Sequence, residues 1–227
     1  MKKRLVFSFI TFTTLLLWVR CSAPSEKENF ISEGTITYNA EVVDTESPMA
    51  MLAPSKMTFK FKNNKSAVEM SAGMGMLTTS FISDPETKIF TQLIKLIGEK
   101  YSVIQNAAEI KKENELFNLE VTPTKETKII AGYNCKKVNV HYKGEESSDS
   151  YAYYTTDLNV QNPNFASPFY MLDGVLMEFQ IKKFGLEMKF TATSVVEEDV
   201  DNSTFGLPDD YKQISLEEMT NKLAEFQ

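Results

Sequence analysis

The chain has 227 residues, a formal net charge of −7 and one histidine, with a mean hydropathy of −0.26. A chain this acidic argues against binding to nucleic acid and against electrostatic adhesion to anionic lipid. One histidine and two cysteines give little material for a metal site or a disulfide framework, so we expect neither a metal ion nor another cofactor.

Residues 1–20 have the pattern of an export signal. Basic residues at positions 2–4 precede an uncharged apolar run from Leu5 to Val19, and Arg20 ends that run. The run is shorter than the roughly 20 residues that a membrane-spanning helix needs, and a basic start followed by a short apolar stretch is typical of secretory signals. We therefore predict an exported protein that works in the cell envelope.

Cys21 directly follows the apolar run and begins a polar segment, predicted to be a tether, over residues 21–32. This placement resembles a bacterial lipoprotein, in which the cysteine becomes the lipidated first residue, although Trp18 and Arg20 depart from the usual residues of that pattern. It predicts a protein in the periplasm or at the outer membrane, held by a lipid anchor at Cys21. Ordinary cleavage after Ala23 and an uncleaved anchor are the alternatives.

From Gly34 onward, apolar and polar residues alternate with a period of two, which predicts strands with one dry and one wet face. Turn residues at Asn63-Asn64 and Asp84-Pro85 separate two pairs of these strands. An antiparallel sheet of about ten strands has to curl into a barrel, a half-barrel or a sandwich. The predicted strands cover residues 35–42, 56–62, 66–71, 76–82, 88–93, 125–130, 137–142, 150–155, 175–183 and 186–196.

Helical patterns occur in two places. Asn106 to Phe117 has the pattern of a short amphipathic helix in the middle of the strands. Near the end, Ser215 and Glu218 form a capping box before an apolar stripe. The stripe consists of Leu216, Met219, Leu223 and Phe226. We therefore predict a mainly β fold with minor α, a single domain over residues 33–227 with both helices packed on a curved sheet.

No group of residues has the pattern of a catalytic site. His141 lies on the polar side of a predicted strand and has no second histidine as a partner. Two lysines beside Cys135 could lower its thiol pKa and make it reactive. The alternative, which we favour, is a strand thiol that behaves as a small hydrophobe and faces the same side as Tyr133.

Four segments in order along the chain carry a resemblance to a known group of proteins. They are Glu33–Tyr38, Lys128–Val138, Leu172–Glu178 and Phe205–Lys212. Together they resemble an uncharacterised family of exported bacterial proteins within the LolA/LolB-like lipoprotein-carrier group. The resemblance implies a half-barrel of antiparallel strands with helices covering an apolar cavity. It also implies a carrier of acyl chains or other hydrophobic ligands, and it assigns no binding residue.

Our leading functional hypothesis is a non-enzymatic envelope protein that holds or transfers a hydrophobic ligand. The abundant methionines suit an adaptable apolar surface, although gap-filling in an imperfect core is their more common role. The candidate cavity residues are Met57, Phe59, Phe61, Met70, Met188 and Phe190. The alternative is an interaction or scaffold module with a filled core and no ligand, and an enzyme is the weakest of the three hypotheses. A protein partner is not indicated by the sequence.

Overall fold

The computed structural model describes residues 31–43, 50, 53–143, 148–183 and 186–224. The predicted signal, Cys21 and most of the predicted tether lie outside the described residues, as does Phe226. Within the described part, the strands are β1 Glu33–Val42, β2 Lys56–Lys62, β3 Lys65–Ala72, β4 Leu77–Asp84, β5 Ile89–Leu96, β6 Glu99–Gln105, β7 Leu119–Ile130, β8 Tyr133–Tyr142, β9 Ser148–Thr155, β10 Val175–Lys183, β11 Leu186–Val196 and β12 Lys212–Gln213. The helices are α1 Ala107–Leu116 and α2 Leu216–Ala224.

All twelve strands form one curved sheet in the order β12-β6-β5-β4-β3-β2-β1-β11-β10-β9-β8-β7. Every neighbouring pair is antiparallel except β12 and β6, which are parallel. The end strands β12 and β7 do not pair with each other, so the sheet stays open. The predicted fold class is confirmed: this is the half-barrel with short helices that the resemblance implies. All the predicted strands are present, and β6 and β12 are additional.

The predicted turns form for local reasons. Asn63 and Asn64 join β2 to β3 with φ of 50° and 66°, a left-handed conformation that asparagine tolerates better than most residues. Between β4 and β5, Asp84 Oδ1 accepts hydrogen bonds from the backbone N–H groups of Glu86 at 3.1 Å and Thr87 at 3.3 Å. These short turns fix the antiparallel register of β2 to β5.

Both helices begin at side-chain caps. Asn106 Oδ1 accepts from the backbone N–H of Ala108 at 2.9 Å, and Glu109 Oε2 accepts in return from the backbone N–H of Asn106 at 2.8 Å. Ser215 Oγ accepts from the backbone N–H of Glu218 at 3.1 Å, as the capping-box pattern predicts. Among the described residues, neither helix combines the length and the apolar character that crossing a membrane requires.

The two ends of the sheet are covered differently. A segment without regular strands, residues 156–174, packs Phe169 onto the β8–β10 region, which we call the filled half. Asn164 holds this segment together, because its Nδ2 donates to the carbonyl oxygens of Leu172 and Gly174, both at 2.8 Å. We call the β2–β5 region the open half. The described helix and loop residues that lie against its cavity face include parts of α1, α2 and the segment 163–169, whereas Phe205 and Tyr211 pack on its other face.

The edge strand β7 is irregular. Its pairing with β8 shifts register between Pro123 and Thr127, and Thr124 Oγ1 donates to the carbonyl oxygen of Lys137 at 3.0 Å within this irregular stretch. Most of β7 is exposed.

Candidate functional site

A cavity of about 570 Å³ lies against the open half. The register of β2 to β5 places the side chains of its wall in rows that cross the four strands. The rows are Met57, Met70, Thr79 and Ile94; then Phe59, Val68, Phe81 and Gln92; then Phe61, Ser66, Ser83 and Phe90. Side chains from β1, β10 and β11 complete the wall.

One end of the cavity is covered by α1 and the neighbouring segment 163–169. Gln105, which lies beside Phe90 in the sheet, donates from Nε2 to Glu113 Oε2 on α1 at 2.8 Å. The adjacent Asn114 donates from Nδ2 to the carbonyl oxygen of Phe165 at 3.1 Å. These hydrogen bonds hold the cover over the end of the sheet that carries the third row.

The opposite end of the cavity is formed by the turns before β4 and after β5. Met76 and Ile97 both line the cavity there and are 52% and 65% exposed. The two turns are joined, because the backbone N–H of Ile97 donates to the carbonyl oxygen of Met76 at 2.9 Å. Solvent reaches the cavity at this end, which we call the mouth.

A set of buried neutral side chains interrupts the apolar wall near the covered end. Ser66, Ser83 and Gln92 line the cavity and are 3%, 8% and 6% exposed. Within the described part of the chain, the side chains of these three residues have no hydrogen-bond partner. We call Ser66, Ser83 and Gln92 the neutral patch.

The wall carries little charge. Among the described lining residues, Tyr38 and Glu113 are the ionisable ones. Burial, with a smaller effect from Cys135, raises the pKa of Tyr38 well above its ordinary value. Its hydroxyl donates to the carbonyl oxygen of Leu176 at 2.8 Å, so it is neutral at any physiological pH.

The structure brings most of the candidate cavity residues together. Met57, Phe59, Met70, Met188 and Phe190 lie on the cavity wall. Phe61 is 0% exposed and is not among the described residues that line the cavity. A ligand-binding role for these residues stays a prediction.

Six aromatic lining residues are missing from the sequence-based candidates: Tyr38, Phe81, Phe90, Phe117, Phe169 and Phe179. Phe81 and Phe90 stack with ring centroids 5.7 Å apart and an angle of 11° between their planes. The alternation of side chains between the two faces of β4 and β5 places both rings on the cavity face. That pattern was sufficient to include both residues among the candidate cavity residues. The segment 163–169 over the third row, in contrast, has no periodic pattern that sequence reasoning could use.

The two residues considered for chemistry lie away from the cavity wall. Burial raises the pKa of Cys135 to about 11, and the side chain is fully buried, which makes the thiol unreactive. His141 is at the surface, with Nδ1 2.7 Å from Asp149 Oδ1. Within the described ranges, no three or more His, Cys, Asp or Glu side chains form a group that could hold a metal ion.

No protein-family model matches the chain, and no curated protein matches it. Two solved structures are loosely similar. The crystal structure of LprF from Mycobacterium bovis is 14% identical, with 79% of this chain and 90% of that chain covered and a TM-score of 0.34. The crystal structure of MucB is 8% identical, with 81% of this chain and 60% of that chain covered and a TM-score of 0.33. At these TM-scores neither likeness supports a function or a site residue.

Proposed function

We propose that this protein binds a hydrophobic ligand, a lipid or an acyl chain, in the cavity of its open half. The observation that carries the proposal is a cavity of about 570 Å³ with a largely apolar wall. Ligand pockets in proteins commonly measure about 300–1,000 Å³ and combine an apolar lining with a few polar groups.

The energetics favour occupation by an alkyl chain. Each methylene group that leaves water for an apolar site contributes about 0.8 kcal/mol. Met57, Met70 and Met188 on the wall can adapt to chains of different shape, because methionine is unbranched and polarizable. A wall of this kind supports a binding or carrier role.

The filled half argues against the alternative of a scaffold with a filled core. There the chain covers its own sheet with residues 156–174, and Phe169 is 1% exposed. Over β2–β5 the same curved sheet leaves the cavity beside half-buried aromatic residues. A ligand supplied from outside would take the place in the open half that Phe169 takes in the filled half.

We further propose that the protein is exported and lipid-anchored at Cys21 in the cell envelope. The basic start, the apolar run and the cysteine directly after it support this location. Mass spectrometry of the N-terminus of the protein purified from its own envelope tests it. A diacylated Cys21 is the expected result, and a mature chain that begins at another residue contradicts the anchor.

Ligand binding is tested by titrating the mature protein with the fluorescent apolar probe N-phenyl-1-naphthylamine. We expect saturable binding that is lost in Val68→Trp, because Val68 lies on the wall and the larger ring fills the cavity. Val196→Trp is the matched control, since Val196 is 48% exposed and lies away from the cavity. Absence of saturable binding, or equal binding by both variants, contradicts the proposal.

A further inference from the structure

We propose that the ligand is an amphipath with an uncharged, hydroxyl- or ester-bearing head. The head lies against the neutral patch, and the alkyl chain runs towards the mouth. This inference rests on the proposed function and names the chemical class of the ligand.

The three side chains of the neutral patch lie close enough to contact one ligand group. Ser66 and Ser83 are direct partners in the register of β3 and β4, a position in which Cβ atoms are about 4.5–5.5 Å apart. Gln92 pairs with Phe81, two residues before Ser83 on the same strand face, so it is a diagonal neighbour of Ser83. The patch is therefore a single corner of the cavity.

The polar atoms of the patch need partners. Buried polar groups are almost always hydrogen-bonded, and those without a protein partner call for an explanation. Ser66, Ser83 and Gln92 are each more than nine-tenths buried, and their polar atoms face the cavity. A ligand head that both donates and accepts hydrogen bonds supplies those partners, whereas a purely apolar ligand would leave them unsatisfied.

The charge around the patch selects against anionic heads, and a trimethylammonium head can neither donate nor accept the hydrogen bonds that the patch offers. Two hydroxyls and a carboxamide can donate and accept, but they carry no charge to pair with a phosphate or a carboxylate. The ionisable group at this end of the wall is Glu113, an acid whose Oε2 already accepts from Gln105. An anionic head would find no lysine or arginine among the described lining residues to pair with.

The orientation follows from the two ends of the cavity. The covered end carries the neutral patch, and the mouth carries the exposed apolar side chains of Met76 and Ile97. The rows between them, which include Met57, Met70 and Ile94, offer an apolar path for the chain. The chain end therefore lies at the mouth.

The test of the head group is competition against bound N-phenyl-1-naphthylamine by four compounds of equal chain length. They are 1-monomyristoylglycerol, tetradecanol, myristate and tetradecyltrimethylammonium. We expect the two neutral compounds to bind at least tenfold more tightly than the two ions. Equal affinities overturn the inference but leave the proposed function intact, whereas failure of the fluorescent probe to bind at all contradicts the proposed function itself.

Substitutions in the neutral patch test where the head group of the ligand binds. Gln92→Leu and Ser83→Ala should each weaken monomyristoylglycerol binding about tenfold more than they change the affinity for N-phenyl-1-naphthylamine. Thr79→Val is the matched control, because Thr79 lies on the same wall, one row nearer the mouth than Gln92 and two rows nearer than Ser83. If either folded variant binds monomyristoylglycerol like the wild type, or if Thr79→Val weakens it equally, the assignment of the head site is overturned.

Nuclear magnetic resonance tests the orientation. A monoacylglycerol with a nitroxide at its chain end should broaden the methyl signals of Met76 and Ile97 and leave that of Val68 sharper. Stronger broadening at Val68 would place the chain end at the covered end and overturn the inference.

Discussion

The filled half and the open half are made from the same kind of strand, yet the filled half packs a segment of its own chain over its face, whereas the face of the open half borders the cavity. In the filled half, Phe169 packs among Val138, Val140 and Ala152. In the open half, Phe81 contacts Phe90 at a wall that borders empty space. Curvature alone therefore does not produce a cavity; the cavity remains where the described residues supply no covering side chains.

The largest expected effect is in the filled half. Phe169→Ala should lower the free energy of unfolding by about 3–5 kcal/mol, because it leaves a cavity among fully buried neighbours. Its ring also makes an edge contact with Phe179 at 5.9 Å between centroids. Urea unfolding measures the change. Tyr170→Ala is the control, because the adjacent ring is 52% exposed and should cost about 0.5 kcal/mol or less.

Asn164 provides the next test, since it holds the segment that covers the filled half. Asn164→Ala removes both hydrogen bonds to Leu172 and Gly174 and should cost about 1–3 kcal/mol. Hydrogen exchange should increase first in residues 156–174. Asn159→Ala, at an exposed position in the same segment, should leave both measurements unchanged. Equal effects of the two variants would contradict a specific role for Asn164.

Glu178 in β10, on the filled side of the sheet, predicts a pH dependence. Burial favours its protonated form, but the hydrogen bond from Lys128 at 2.9 Å and the charge of Lys189 outweigh burial and lower its pKa. Because the folded-state pKa is the lower one, the stabilisation is present above the ordinary glutamate pKa and is lost as the pH falls through the folded-state value.

Glu178→Gln should therefore lower the free energy of unfolding by about 1–2 kcal/mol at pH 7. The difference from the wild type should shrink as the pH falls below about 4. Urea unfolding over a pH series measures it. Glu120→Gln, which breaks an exposed pair with Lys143, is the control and should change stability little. A Glu178→Gln deficit that persists at low pH would contradict the ionic explanation.

The smallest effect belongs to the open half. Phe81→Ala should cost only about 1 kcal/mol, because the ring has neighbours on one side and the cavity on the other. The same urea measurement applies. If Phe81→Ala lowers the free energy of unfolding as much as Phe169→Ala does, the two halves are packed alike, and the contrast between the filled and the open half is wrong.

Alternation predicted most of the sheet, and its failures have physical causes. In β6, three successive residues, Tyr101, Ser102 and Val103, are buried, and the apolar Ile104 lies on the face opposite to Val103. Buried and exposed positions therefore do not alternate with a period of two in this strand. β12 consists of Lys212 and Gln213 alone and depends on its contact with β6, so no local signal could predict it.

The cavity could be predicted only in part. Alternation placed Met57 and Phe59 on the cavity wall, but it also put Phe61 on the same face. Phe61 is covered because a distant segment reaches its end of the sheet, where the backbone N–H of Gln161 donates to Asn64 Oδ1 at 3.1 Å. Such long-range contacts determine which rows of the wall stay uncovered. The apolar and polar pattern of a strand carries no information about them.

An incomplete barrel keeps two free edges, and β7 is the longer of the two edge strands. Exposed strand edges are templates for pairing with other chains and so for aggregation. Pro123 lacks a backbone N–H, the register shift that follows it bends the ladder, and Lys125 and Lys128 add positive charge along the strand. These features discourage a second copy from extending the sheet. The half-barrel can thus remain open, and accessible to what enters it, without polymerising.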